Sequence, residues 1–212
     1  TAGIFVHNCV KQGRNSKYQA VLPLRGKILN TEKADFEKMI KSEAITNIIA
    51  SIGTGIGAKF DIKKARYDKI IIMTDADDDG SHIRTLILTL FYKYMRPLLE
   101  EGYVYAAKPP LFRVTLKNKT YKYVATDEEL KEFRKSNGSK IDTIQRFKGL
   151  GEMNYQQLKE TVLDPQKRTL ERITLSDAEY ANETFNLLMG KNVADRRQFI
   201  EENAHLVNLT LL

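Results

Sequence analysis

Apolar positions along the chain recur with distinct periods, and each period predicts an element. Residues 69–74 read as a buried strand, because Ile70, Ile71 and Ile72 form a continuous β-branched run, the pattern of a strand covered on both faces. After a short polar stretch, Ile83, Leu86, Ile87, Leu90, Phe91, Tyr94 and Leu98 follow at three-to-four spacing. They predict an amphipathic helix kinked before Pro97 and ending near Gly102. Residues 103–107 read as a second strand, closed by Pro109 and Pro110. A strand, a crossover helix and a second strand make the unit of a parallel sheet.

Upstream, Phe36, Met39 and Ile40, then Ile45, Ile48, Ile49 and Ile52, predict two short helices within residues 32–52. Residues 53–57, GTGIG, lack the GK[ST] of a phosphate-binding loop and the strand that would precede a dinucleotide site, so they read as a helix-ending turn. Residues 20–22 read as a short apolar strand. Downstream, residues 111–124 alternate like a hairpin around Lys117-Asn118-Lys119, residues 127–135 are helical and residues 143–147 form a strand. Helices are expected over residues 155–163, 177–189 and 193–206, with a short strand at 172–175. The chain shows no internal repeat and no low-complexity segment.

The polar stretch between the first strand and its helix changes the picture. Asp75, Asp77, Asp78 and Asp79 place four carboxylates within five positions at a strand's end, where open α/β sheets bind ligands. Gathered acids repel one another unless a cation is shared, and oxygen-only donors select a hard ion such as Mg²⁺, Mn²⁺ or Ca²⁺. An EF-hand shares the first six positions of this stretch but requires a bidentate Glu where Leu86 stands, and a helix where the Ile run lies. The simpler reading is an acidic turn that caps the next helix through Asp79 or Ser81. Both can hold together.

With 34 basic against 27 acidic residues the net charge is +7 and the pI near 9.3, which suits a polyanionic partner. A chain that attracts phosphates overall yet collects acids at one point has the arrangement of a metal-dependent nucleic-acid enzyme. Lys11, Arg14, Lys17, Arg25 and Lys27 either line a phosphate track or form a solvated basic face. The single cysteine, Cys9, excludes a disulfide framework and a cysteine-based zinc site and fits a reducing compartment. No apolar run reaches transmembrane length, no signal-peptide pattern is present, and no membrane partner is expected.

The first nine residues, TAGIFVHNC, differ from the basic sequence that follows, and read either as a strand and turn or as the end of a protein-splicing element. In the second reading the Asn8 amide cyclises onto its own carbonyl, His7 protonates the leaving group, and Cys9 is the downstream nucleophile. The stretch resembles the C-terminal end of an intein, with Cys9 opening the extein.

KQGRNSKYQAVLPLRGKILN, IIMTDADDDGSHIRTLILTLFY, KPPLFRV, IQRFKGLGEMN and RRQFIEENA occur in order from Lys11 to near the C-terminus. At these residues the chain resembles the C-terminal half of the B subunits of type IIA topoisomerases, the gyrase and topoisomerase IV type. The resemblance implies a Toprim fold, α/β with a Rossmann-like parallel sheet and flanking helices, followed by an α+β tail region. It divides the chain into an intein remnant at 1–8, a Toprim domain at 9–110 without its first strand and Glu motif, and a tail at 111–212. The insertion that some family members carry in the tail is absent between Val124 and Ile144.

By the same resemblance, Asp75 and Asp77 are catalytic metal ligands, Asp79 is the third acid of the metal motif, and Mg²⁺ is the ion, replaceable by Mn²⁺ or Ca²⁺. Arg25, Lys27, Arg146 and Lys148, with Lys11 and Arg14, face double-stranded DNA. The nucleophile is a tyrosine of the partner A subunit, in an A2B2 heterotetramer that hydrolyses ATP on an N-terminal domain outside this chain, in the cytoplasm on the chromosome. Ser81, His82 and Arg84 share the acidic motif, with helix entry an equal role for Ser81 and His82. Two departures stand out: Asp78 replaces a small apolar residue, and the family's catalytic Glu, in a segment just upstream of KQGR, is not in the sequence. Inteins interrupt gyrase B genes in that segment. Two other functions fit part of the pattern: a Toprim primase or nuclease, and a non-catalytic module that docks DNA and a partner subunit.

Overall fold

A computed structural model describes residues 2–75, 77–175 and 178–206. The expected strand, crossover helix and strand are present. β1 (Ile70–Ile72) pairs in parallel with β2 (Val104–Ala107), in register Ile70 to Val104 and Ile72 to Ala106. Between them run α4 (Asp78–Tyr94) and α5 (Pro97–Glu100), preceded in the chain by α1 (Ala2–Gly13), α2 (Phe36–Ile40) and α3 (Glu43–Ile52). The break falls where the sequence placed it, with Pro97 in the first turn of α5, where its missing N–H costs nothing.

The sheet is not purely parallel. β6 (Leu170–Arg172) adds antiparallel to the free edge of β2, pairing Arg172 with Tyr105. The expected strand at 172–175 is thus shifted two residues earlier. A second, antiparallel sheet has the order β4 (Tyr121–Val124), β3 (Phe112–Leu116), β5 (Ile141–Arg146). Lys119, at φ +67, makes the hairpin turn between β3 and β4. α6 (Asp127–Asn137) covers one face of this sheet, α7 (Tyr155–Leu158) runs on into a π-helical turn at Lys159–Leu163, and α8 (Ala178–Met189) and α9 (Val193–Asn203) follow. Residue 177, the expected start of α8, lies outside the described residues.

Two sequence expectations fail. Residues 20–22 form no strand: Leu22 is exposed and the next residue, Pro23, has no N–H to give a ladder. Residues 2–9 are helix rather than strand and turn, and α1 crosses Asn8 and Cys9 without a break. The reason lies in packing, since Cys9 and Val10 are both buried against α7 and its π-turn. Gly13 lets α1 come closer still, because a Cβ there would stand 2.8 Å from the Tyr155 carbonyl oxygen.

Three cores result. The largest joins α2 to α5 with β1 and β2 through Met39, Ile45, Leu90, Phe91, Met95 and Leu98. It is reached from the far end of the chain by Met189 and by Phe185, which stacks on Tyr92 at 4.7 Å. The second joins Cys9 and Val10 to Phe147, Leu150, Met153, Leu158 and Val162. The third, Phe112, Val114, Val124 and Leu130, holds α6 on the antiparallel sheet. Gly53 ends α3 in the left-handed region at φ +89, as the GTGIG reading requires.

Candidate metal centre and nucleic-acid interface

The acidic stretch leaves the end of β1 and enters α4 in a tight reversal. Asp77 is the N-cap: its Oδ1 accepts a hydrogen bond from the Gly80 N–H at 2.7 Å. The cap therefore sits two residues before Asp79 and four before Ser81, the positions expected for it. Asp78 and Asp79 fill the first turn, where the helix dipole favours negative charge. Gly80 is obligatory, since a Cβ there would stand 2.1 Å from the Asp75 carbonyl oxygen.

Asp75 is half-buried and looks the other way, into the carboxyl-terminal region. Its Oδ1 accepts the Leu150 N–H at 2.7 Å. Asp79 is exposed and its Oδ1 lies 2.7 Å from Lys27 Nζ. The hydrogen bond and the charge of that ammonium hold the Asp79 carboxyl below the usual carboxylate range. Among the described residues no three acidic, histidine or cysteine side chains stand close enough together to hold an ion. The expected trio is thus spread over three partners: a turn, a helix cap and a lysine. Each carboxylate is drawn to a nearby donor, which keeps the like charges apart. The donor set still fits a hard cation, since Asp75 and Asp77 each commit one oxygen to a backbone N–H and keep a second oxygen at the same strand end.

Lys27 touches the acidic motif directly, two residues beyond the exposed Arg25. Arg146 ends β5 with its guanidinium 5.5 Å from the Phe112 ring centre, and Lys148 is exposed in the next turn. That turn also carries the Leu150 N–H, so the RFKGLGEM segment reaches the acids through its backbone. Lys11 is exposed on α1, and Arg14 donates to the Gln19 carbonyl. Glycines in the GLG run suit either a phosphate contact or a sharp turn by sequence; the structure brings Gly149 against Asp75 instead.

One cluster lies outside the predicted site residues. Tyr121 and Tyr123 both donate to Glu160, at 3.0 and 3.1 Å, and Arg113 stacks on the Tyr121 ring at 4.3 Å. Only the two-residue spacing of the tyrosines on β4 hinted that they share a face. The Glu160 hydrogen bond raises the Tyr121 pKa, and burial followed by the Glu160 charge raises that of Tyr123. A cavity lined by Glu32, Glu183, Asn186 and Asp195 contains none of the predicted site residues. No helix among the described residues is long and apolar enough to cross a membrane.

The Toprim domain model matches residues 8–109, and the model of the DNA gyrase B carboxyl terminus matches residues 139–201. The chain carries the Toprim and carboxyl-terminal domains of the DNA gyrase B family. It is 58% identical to the DNA gyrase B protein of Halalkalibacterium halodurans over 198 residues, which cover 93% of the chain and 31% of that protein. To the gyrase B proteins of Thermus thermophilus and Thermotoga maritima it is 54% identical, over 95% and 92% of the chain and 32% and 30% of theirs. The chain thus spans about a third of the length of these gyrase B relatives. Within the family frame, the Toprim match holds the acidic motif and the gyrase B carboxyl-terminal match holds the turn that contacts Asp75.

Proposed function

We propose that the chain is the metal-binding, DNA-cleavage part of a type IIA topoisomerase, incomplete without a partner A subunit that carries the tyrosine nucleophile. The observation that carries this reading is the Asp75 and Asp77 pair at the end of β1 within a Toprim match, backed by a gyrase B tail. Asp75 and Asp77 would hold Mg²⁺, with Asp79 joining them when Lys27 is drawn to a phosphate. The bound ion supplies charge stabilisation at the phosphate and the leaving sugar oxygen. Arg25, Lys27, Arg146 and Lys148, with Lys11 and Arg14 on the flank, bind the duplex backbone and set its register over the acids. Whole-subunit properties belong to the same proposal: ATP hydrolysis on another domain, an A2B2 assembly and a chromosomal location in the cytoplasm.

The gyrase-type tail counts against a primase or nuclease. A docking module without chemistry would use Asp77 only as a helix cap. The experiment that separates these is cleavage of supercoiled DNA by the full-length B protein with its A partner. Asp75→Ala with Asp77→Ala should abolish cleavage and spare duplex binding; full cleavage by the double variant would leave the docking reading standing.

We also read His7, Asn8 and Cys9 as a splice junction. Its support is the His-Asn-Cys order directly before the KQGR segment, with the Toprim match beginning at residue 8. Supplying the upstream precursor should give a ligated product by mass spectrometry; no ligation with Asn8 and Cys9 intact would refute it.

A further inference from the structure

We propose that the Gly149-Leu150 turn is a positioning element for the Asp75 carboxylate, so that the gyrase B tail sets the geometry of the Toprim metal site. The inference rests on the metal-binding reading above and adds a residue pair to it. Leu150 N–H donates to Asp75 Oδ1 at 2.7 Å across 75 residues of sequence. A Cβ on Gly149 would stand 2.8 Å from both Cγ and Oδ1 of Asp75. Gly149 has φ −170 and ψ 174, extended backbone that any residue adopts. Glycine is therefore required there for space, and the space is that of the carboxylate.

Asp75 is held on both sides. Its backbone meets Gly80 at the start of α4, and its side chain meets Gly149 from the tail. The turn itself is anchored, because Phe147, Leu150 and Met153 are buried in the core that α1 and α7 share. Lys148 N–H also donates to Glu152 Oε2 at 2.9 Å, closing the turn. A backbone donor fixed by a core directs Oδ1 toward the tail and leaves Oδ2 for a cation. Preorganisation of this kind raises ion affinity by holding the ligand in place before binding.

Gly149→Ala is a selective probe, since the clash falls on the end of a flexible side chain while the backbone stays allowed. Gly138→Ala is the control: its Cβ meets nothing within 4 Å. Mn²⁺ binding, followed by electron paramagnetic resonance of the free ion, is measured for wild type, both glycine variants, Asp75→Ala and Asp75→Ala with Gly149→Ala. Gly149→Ala should lower affinity about tenfold or more while Gly138→Ala changes nothing, and should add no further loss in the Asp75→Ala background. Unchanged affinity in Gly149→Ala beside a loss in Asp75→Ala overturns the positioning role alone. A Gly149→Ala loss that persists in full without Asp75 also overturns it. Unchanged affinity in Asp75→Ala overturns the metal reading and the positioning role with it. A second measurement needs no variant: the Leu150 amide resonance of the wild-type chain should shift with Mg²⁺ at the midpoint of ion binding, and a resonance that stays still while Mg²⁺ binds overturns the proposal.

Discussion

Asp77 offers a single position at which the capping and the metal-binding roles can be separated. Its Oδ1 caps α4 by accepting the Gly80 N–H at 2.7 Å, and its second oxygen is the one assigned to the ion. Asp77→Ala removes both roles, whereas Asp77→Asn keeps a capping oxygen and removes the anionic ligand. Loss of an N-cap costs about 1 kcal/mol, which for a chain of this size lowers the melting temperature by roughly 2–4 °C. Asparagine caps as well as aspartate, and the dipole interaction it gives up, about 0.3–1 kcal/mol, is offset by relief of repulsion from Asp78 and Asp79. Asp77→Asn should therefore melt within about 1–2 °C of wild type. Both variants should bind Mn²⁺ at least about tenfold more weakly, equivalent to ~1.4 kcal/mol of ion binding. Differential scanning calorimetry and Mn²⁺ titration on the same samples measure the two effects. If Asp77→Asn bound Mn²⁺ as wild type while Asp77→Ala lost only stability, Asp77 would be a helix cap and nothing more.

Three further outcomes follow from the described contacts. Lys27→Met should return the Asp79 pKa upward to the ordinary range in a carbon-detected NMR titration; in the wild type the pair's contribution is present above the unfolded value of 3.8 and is lost as pH falls through the depressed folded pKa. Glu160→Gln should let Tyr121 and Tyr123 ionise at lower pH in an absorbance titration; in the wild type both stay protonated above pH 10, and their contribution to stability, present below that value, is lost as pH rises through the folded pKa. Leu158→Ala, at a fully buried position, should cost about 2–5 kcal/mol in denaturant unfolding and raise amide exchange in α1, which packs on the same core. An α1 whose exchange is unchanged would contradict that shared core.

How much of this was legible in the sequence depends on the range of the interaction. β1, α4 and the Pro97 break follow from local period and from proline chemistry, although β1 covers only Ile70–Ile72 of the strand expected at 69–74. The helical state of α1 is not legible locally, because its buried face is defined by α7, which lies more than 140 residues away in the chain. β6 begins two residues before its expected place and its antiparallel pairing has no sequence signal, since nothing local in Leu170–Arg172 specifies an edge. The acids are visible as a site because charge density is a local property. Their partners are not: the Asp75 contact with Leu150 and the Asp79 pair with Lys27 are tertiary, and the GLG glycines signal close approach without saying to what.

Mn²⁺ titration of the chain is the direct test of whether Asp75 and Asp77 bind a catalytic cation. The wild type should show a binding isotherm that Mg²⁺ competes away, and Asp75→Ala with Asp77→Ala should lose it while retaining a cooperative melt. Equal affinity in the wild type and the double variant would show that Asp75 and Asp77 do not hold the ion.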